Sequence, residues 1–410
     1  MPIDAQRICD RCDELARHSE QADGLTRIFL SPEQKAVTGI VGAWMTAAGM
    51  SVRVDAIGNV VGRYEGDRPG LPCLMLGSHL DTVRDAGRYD GMLGVVAAIE
   101  CVADLAARGL RLPHAVEIAG FSDEEGVRFS STMLGSRAVA GIFDPAVLDN
   151  ADAGGTTMRE ALAAAGCDPA RIGDAARRPA EVLAYAELHI EQGPVLESEG
   201  LAVGVVTAIN GGNRVAVEVT GMAGHAGTVP MGLRRDALAA AAECVLAVER
   251  IARSMPDVVG TVGRIEALPG AINVVPGRVR FTLDARAPDD VLRGRLLAAM
   301  RAEFEAIAAR RAVGIALTPL WEARTALCAP ALQRQFAQAI EAEGLPVRHL
   351  PSGAGHDGMA LVAIAPIAML FVRCKGGISH NPAEAITVAD AGTGARVLAR
   401  FIERFVPPPG

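Results

Sequence analysis

Seven side chains in this 410-residue chain are of the types, and in the settings, that could act together: His79, Asp81, Asp90, the adjacent Glu124 and Glu125, His189 and His380. They sit in short stretches rich in Gly or Ser that follow plausible strands. Imidazoles and carboxylates without thiolates suit two divalent ions, with zinc or manganese expected and cobalt or nickel also accommodated. Two cations a few Å apart repel each other, so an anionic oxygen pair shared between them is favourable. A water held there becomes the nucleophile of a hydrolysis.

In Gly77-Ser78-His79-Leu80-Asp81-Thr82-Val83 the glycine ends the apolar run Cys73 to Leu76. His79 is therefore expected at the carboxyl end of a strand, the edge at which open α/β sheets bind ligands. Asp81, two residues on, could hold the other ring nitrogen and so serve catalysis by orienting the imidazole. Asp90 opens an apolar helix running to about Arg108 and is the natural bridging ligand. Phe121-Ser122-Asp123-Glu124-Glu125-Gly126 follows a second buried run, Ala115 to Gly120. Adjacent side chains in extended chain point opposite ways, so Glu125 can bind metal while Glu124 faces the water as general base. His189 and His380 lie just beyond two further apolar strand candidates. Taken singly, each of these residues is more often an ordinary polar group at a strand end. A solvated acidic face does not, however, repeatedly pair His with Asp or Glu beside turn glycines.

These side chains can meet only in a particular architecture, and the length points to two domains. Between about Asn213 and Ala326 the pattern predicts strand Arg214–Thr220, helix Arg234–Ser254, strand Val258–Leu268, strand Arg278–Ala285, helix Asp289–Ala309 and strand Val313–Leu320. This βαββαβ order suggests a ferredoxin-like sandwich. His380 follows the segment yet must meet His79 and Asp90, which precede it. The predicted fold is therefore α/β, with a discontinuous catalytic domain (1–212 and 327–410) and an inserted α+β lid domain (213–326). Hinge closure over a substrate is expected.

Half of the residues are hydrophobic and the formal net charge is -8, without a basic run interleaved with aromatics, which argues against nucleic acid as a partner. The longest apolar stretch, Leu361 to Val372, is too short to span a bilayer and contains Pro366, so no membrane segment is expected. Met1 to Arg7 lacks a basic region followed by an apolar core, which predicts a cytoplasmic protein. The eight cysteines have no regular spacing and read as reduced core residues, Cys9 and Cys12 included.

The stretches GSHLDTV (77–83), YDGMLGV (89–95), SDEEGVRF (122–129), GSR (135–137), ELHIEQGPVLE (187–197), HAGTVPM (225–231), NVVPG (273–277), SGAGHD (352–357) and GGISHNPAE (376–384) form a specific series. With them the chain resembles, over nearly its whole length, the hydantoinase/carbamoylase-type amidases. That family includes N-carbamoyl-L-amino-acid hydrolases, allantoate amidohydrolases and ureidopropionases, within the dinuclear aminoacylase and carboxypeptidase clan. The resemblance implies one metal held by His79, Asp90 and His189, another held by Asp90, Glu125 and His380, and Glu124 as base. It also implies substrate roles for Gln192, Arg214, His225, Asn273 and Arg286, with the guanidiniums receiving a carboxylate and His225 helping to hold the oxyanion. Arg286, at the end of a strand, offers the planar fork that binds a carboxylate bidentately.

By the same resemblance, the inserted domain forms a homodimer in which His225 reaches the partner subunit's site. The bond cut is then the terminal carbamoyl C–N bond of a ureido carboxylate, releasing ammonia and carbon dioxide. Allantoate, N-carbamoyl-L-amino acids and N-carbamoyl-β-alanine all qualify, and PMGLRRDA (230–237) leans towards allantoate. A dinuclear peptidase or aminoacylase of the same clan is a second reading, against which His189 speaks, since that position is typically a carboxylate there. A third is a non-catalytic protein that captures ureido acids, against which Glu124 speaks.

Overall fold

Apolar runs with no polar alternation belong in parallel strands covered on both faces. The computed structural model, which describes residues 3–408, places them there. Cys73–His79 (β3), Ala115–Phe121 (β4), Val182–Ile190 (β5) and Ile367–Val372 (β16) run parallel to one another, β3 between β4 and β5, and β5 beside β16. Ser51–Val54 (β1) and Val60–Tyr64 (β2) add antiparallel strands beyond β4, and Val203–Ile209 (β6) adds one beyond β16. The order is β1-β2-β4-β3-β5-β16-β6. The carboxyl ends of the four parallel strands thus fall on one edge of the sheet.

One face of this sheet is packed by the helices Met92–Ala107 and Val388–Glu403, whose Val95, Ile99, Leu398 and Phe401 join Leu74, Leu76 and Ile118 in a common core. A Cβ at Gly94 would lie 2.3 Å from the Leu188 carbonyl oxygen, so this helix reaches β5 at a distance that only glycine allows. The close approach fixes where Asp90, just ahead of the helix, must stand. The stretch Leu361 to Val372 supplies the buried strand β16, and no helix among the described residues is long and apolar enough to cross a membrane. All eight cysteines are free, and all but Cys167 are buried.

The chain divides into two compact units, Met1–Thr207 with Cys328–Leu350 and Ala354–Gly410, and Ala208–Leu327 with Pro351–Gly353. The crossing falls inside β6, between Thr207 and Ala208, a few residues before the boundary expected at 212. Two short strands, Ala326–Leu327 (β14) and His349–Ser352 (β15), lie where the chain returns.

The second unit holds Gly211–Thr220 (β7), Gly224–His225 (β8), Val259–Thr261 (β9), Ile265–Leu268 (β10), Val274–Val275 (β11), Arg278–Ala287 (β12) and Gly314–Ala323 (β13), with helices Ala237–Arg253 and Asp290–Arg311. Its antiparallel sheet has the order β10-β12-β7-β13, and β9 pairs with β12 as well. The strand expected over Val258–Leu268 is split in two by Val262-Gly263-Arg264, where Thr282 N–H donates to the Arg264 carbonyl. The first helix begins at Ala237 rather than Arg234, because the Asp236 carboxylate accepts from the N–H groups of Leu238 and Ala239 and caps it. Alternation along β7 and β12 turns Val217, Val219, Val279, Phe281 and Leu283 into the helix-covered core. The intervening residues, Arg214, Thr282, Asp284 and Arg286 among them, lie on the opposite face.

Candidate metal centre

β3 ends on His79, and β5 carries His189 one residue before its end, with the two ring centroids 5.9 Å apart. His79 Nδ1 lies 3.0 Å from the Asp81 carbonyl oxygen and His189 Nδ1 2.9 Å from the Ile190 carbonyl oxygen. A carbonyl only accepts, so Nδ1 carries the hydrogen in both rings and Nε2 keeps its lone pair. The Gly91 N–H, which points at His189 Nε2 from 3.3 Å, agrees with that tautomer.

Both Nε2 atoms face Asp90 Oδ1, His79 at 3.6 Å and His189 at 3.1 Å. His380 comes from the loop after β16 and has a left-handed φ of 53°. Its Nε2 stands 3.2 Å from Asp90 Oδ2 and 3.4 Å from Glu125 Oε1. Each carboxylate oxygen of Asp90 therefore serves a different set of neighbours. Gly91, with φ 78°, makes this possible, since a Cβ there would stand 2.6 Å from the His79 ring.

Lone pairs facing carboxylate oxygens at such distances repel unless positive charge lies between them. Ligands ~2.1 Å from a tetrahedral ion stand about 3.4 Å from one another, close to the spacing found here. The sets His79/Asp90/His189 and Asp90/Glu125/His380 each bring one atom per residue within 4.8 Å of the others, so the residues present fit a divalent ion in each. Electrostatics point the same way. Burial opposes a charged His79, but Asp81 and Asp90 outweigh it and raise that pKa well above its ordinary value. Asp90 and then Glu125 raise His380 to about 10. Burial would push Asp90 up, yet His189, His380 and His79 hold it well below the usual carboxylate range. The cluster is built around positive charge.

Glu124 is buried beside these sets, and with His79 and Glu125 it brings a third group of ligand atoms within 4.8 Å. Burial first, and then the neighbouring Glu125, push its carboxyl well above the usual range, which suits a proton carrier. Two expectations need correction. Asp81 meets the His79 ring with its main-chain carbonyl, while its carboxylate accepts from the N–H groups of Glu124 (3.0 Å) and Glu125 (3.1 Å), the nearer carboxylate oxygen being 3.6 Å from Nδ1. Glu124 and Glu125 lie in a bend beyond β4, not in extended chain, so strand alternation does not separate them. Asp81 holds the bend by its two N–H groups.

Sequence reasoning passed over Glu384, Ser379, Glu187 and His356, and gave Gln192 a substrate role only. Glu384 Oε1 accepts from the N–H groups of Tyr89 (2.8 Å) and Asp90 (3.1 Å), and its Oε2 lies 2.9 Å from Ser379 Oγ. Ser379 Oγ and Gln192 Nε2 each stand 3.0 Å from Asp90 Oδ2. The available signal was the last residue of GGISHNPAE. Replacing Glu384 with Ala strands two buried N–H groups and frees Asp90, so divalent-ion affinity is expected to fall by about 10–100-fold, read by competition with a chelating dye. Beneath the cluster, the buried Glu187 accepts from Ser78 (2.7 Å) and Tyr185 (2.9 Å) and so ties β3 to β5. The buried His356 ring packs edge-on to His189, with centroids 4.5 Å apart.

Gln192 belongs to the first unit, whereas Arg214, His225, Asn273 and Arg286 belong to the second. His225 lies in β8, which pairs with β11 directly after Asn273, and the Ala226 N–H donates to the Asn273 carbonyl. The Arg286 fork is not free, because Nε and Nη2 donate to the two oxygens of Asp284 at 2.9 and 3.1 Å and Nη1 donates to the Gly353 carbonyl at 2.7 Å. Arg214 donates to the same Asp284 at 3.1 Å and lies over the Trp321 ring. Two guanidiniums share one carboxylate, leaving one net positive charge.

An imidazole–carboxylate cluster, buried but for His380, at the carboxyl edge of parallel strands, with a carboxyl of raised pKa beside it, is the arrangement of a metal-dependent hydrolase. The profile of Peptidase family M20/M25/M40 matches residues 75–404, and the chain belongs to this family. It superposes on an amidase of the hydantoinase/carbamoylase family from Burkholderia multivorans with a TM-score of 0.91 and 36% identity, covering 98% of this chain and 97% of the other. It is 43% identical over 397 residues to an N-carbamoyl-L-amino acid amidohydrolase of Geobacillus stearothermophilus, covering 97% of both. Allantoate deiminase of Arabidopsis thaliana is 39% identical over 96% of this chain and 81% of its own length. The chain is accordingly a hydrolase of the amidohydrolase type.

Proposed function

We propose that this protein is a dinuclear amidohydrolase that cleaves the terminal carbamoyl C–N bond of a ureido carboxylate, releasing ammonia and carbon dioxide. The observation that carries this is the division of Asp90, whose Oδ1 faces His79 and His189 while Oδ2 faces His380. His79, Asp90 and His189 would hold one ion, and Asp90, Glu125 and His380 the other, zinc or manganese being expected and cobalt or nickel compatible. When bound, such ions supply Lewis acidity and bring the pKa of water to about 7. Glu124 takes the proton from the attacking water and delivers it to the departing nitrogen, and its raised pKa suits both steps. Asp81 keeps Glu124 in place by holding its N–H.

Gln192, His225 and Asn273 would contact the substrate, and the net positive charge of Arg214, Asp284 and Arg286 would receive its carboxylate. The second unit serves as a lid and as the surface of a homodimer. Support for a covered surface comes from its exposed apolar side chains, Leu233 at 76%, Leu246 at 65% and Ile272 at 104% of full exposure. Free, mostly buried cysteines are in keeping with a reducing cytoplasm.

Allantoate, towards which PMGLRRDA leans, N-carbamoyl-L-amino acids and N-carbamoyl-β-alanine are the substrate candidates. Ammonia release by metal-reconstituted protein is expected with one of these, offered in parallel. Silence on all three, with hydrolysis of N-acetylated amino acids instead, would move the protein to the aminoacylase side of its family.

A further inference from the structure

The first unit contains a second cavity, of about 790 Å³, that none of the metal-cluster residues lines. It opens between the helix Pro32–Ala47, the strands β1, β2, β3 and β4, and the segment 165–177. Leu30, Val61, Met75, Ala119, Val139 and Ala165 give it an apolar wall. The volume is that of a small-molecule site, typically about 300–1,000 Å³.

Its charged lining is asymmetric in a way that selects a ligand. The carboxylates are already served by the protein. Glu117 accepts from Arg63 and Arg177, and Asp55 accepts from the N–H groups of Ile57 and Asn59 and from the Asn59 amide. Asp168 accepts from the Ala170 N–H, and Asp174 pairs with Arg171. Two cations are not so served. Among the described residues the Lys35 ammonium meets the Ala165 carbonyl at 3.3 Å, and the Arg53 guanidinium comes no nearer to a carboxylate than 4.0 Å from Glu117, which two other arginines already fill. An apolar chamber in which Lys35 and Arg53 make no close carboxylate pair, while each lining carboxylate accepts hydrogen bonds from the protein, fits an apolar molecule bearing one negative group.

Two lining residues also reach the catalytic loop, Gln34 directly and Asp55 through Asn59. Asp55 positions Asn59, whose Oδ1 accepts from Ser122 N–H at 2.9 Å and stands 3.1 Å from Ser122 Oγ, and Gln34 donates to the Ser122 carbonyl. Ser122 is followed directly by Asp123, Glu124 and Glu125. We propose that this cavity binds a small apolar carboxylate through Lys35 and Arg53, and that its occupancy alters turnover through Asp55, Asn59, Gln34 and Ser122. A contiguous hydrogen-bonded network of this kind is one route by which such coupling travels.

The test uses the metal-reconstituted full chain titrated calorimetrically with octanoate and with 1-octanol. Octanoate is expected to bind, and 1-octanol to bind at least about tenfold more weakly, as loss of a charge-assisted contact implies. The double variant Lys35→Met, Arg53→Met should weaken octanoate by a similar factor without altering 1-octanol. Gly39→Trp fills the chamber from a position where an added Cβ meets nothing within 4 Å, and should abolish binding of both. In the unmodified protein octanoate is expected to change kcat at saturating substrate, and in Gly39→Trp to leave it unchanged. No octanoate binding, equal binding of the alcohol, or binding untouched by both variants would overturn the site. A purely competitive effect on substrate would place the carboxylate at the metal centre and overturn it too. Binding with no change in kcat would overturn the coupling.

Discussion

Glu124→Gln is expected to lower kcat by about 10²–10⁴-fold, the usual worth of a positioned proton carrier, while the divalent-ion content of the protein stays the same. Glutamine has the shape of glutamate but cannot accept the proton of an attacking water. Neither Asp90-sharing set includes Glu124, so their donor atoms are intact in the variant. The bend is intact as well, because Asp81 holds it by main-chain N–H groups that the substitution does not touch. Metal analysis of the dialysed variant beside single-substrate kinetics decides the matter. Retained turnover would make some other group the base, and loss of metal together with turnover would make Glu124 a ligand.

Asp90→Asn attacks the centre differently. An amide offers one oxygen where the carboxylate offered two, and its NH₂ group must face one of the Nε2 atoms now 3.1 to 3.6 Å from Asp90. One set loses its shared acceptor, and both lose the negative charge that offsets paired cations. The expected protein keeps at most one ion per chain and shows no turnover above background. The fold is expected to persist, since the helix after Asp90 is held by its own apolar packing. Metal content by mass spectrometry, with circular dichroism as the check on folding, reads both. Two ions retained per chain would remove Asp90 from its bridging place.

Strand ends made much of this centre legible. His79, Glu124 and Glu125 follow apolar runs closely, and such runs announce both the strand and the point where it stops. His189, expected just past its strand, lies inside β5, and His380 comes from a loop eight residues beyond β16, so the residues could be named but not their place relative to the strands. Asp81 shows another limit. Residue type suggested its carboxylate as the partner of His79, but whether carbonyl or side chain faces a ring depends on how the loop closes, and that is set by Glu124 and Glu125, far along the chain. Glu384 was hidden for a related reason, as its acceptors serve N–H groups 294 and 295 positions away. The mixed α/β character was plain from periodicity, whereas the break between β9 and β10 was not, because Gly263 reads equally well as a weak strand residue. Arg286 was readable as a fork, but its capture by Asp284 was not, although the two are neighbours on one face of β12.

Where His380 stands in the chain has a bearing on how the protein is made. During synthesis His79, Asp90 and His189 are all added before the second unit has begun, and His380 only after that unit is finished. Glu384, which holds Asp90 by its N–H, follows later still. A nascent chain therefore possesses every donor of the first set long before it possesses the second, so on the proposed dinuclear reading the two sets become available to metal in a fixed order. Cells short of the ion, or chains cut short near their end, would accumulate a half-loaded protein in which Glu124 is present and positioned but has no completed partner across the bridge.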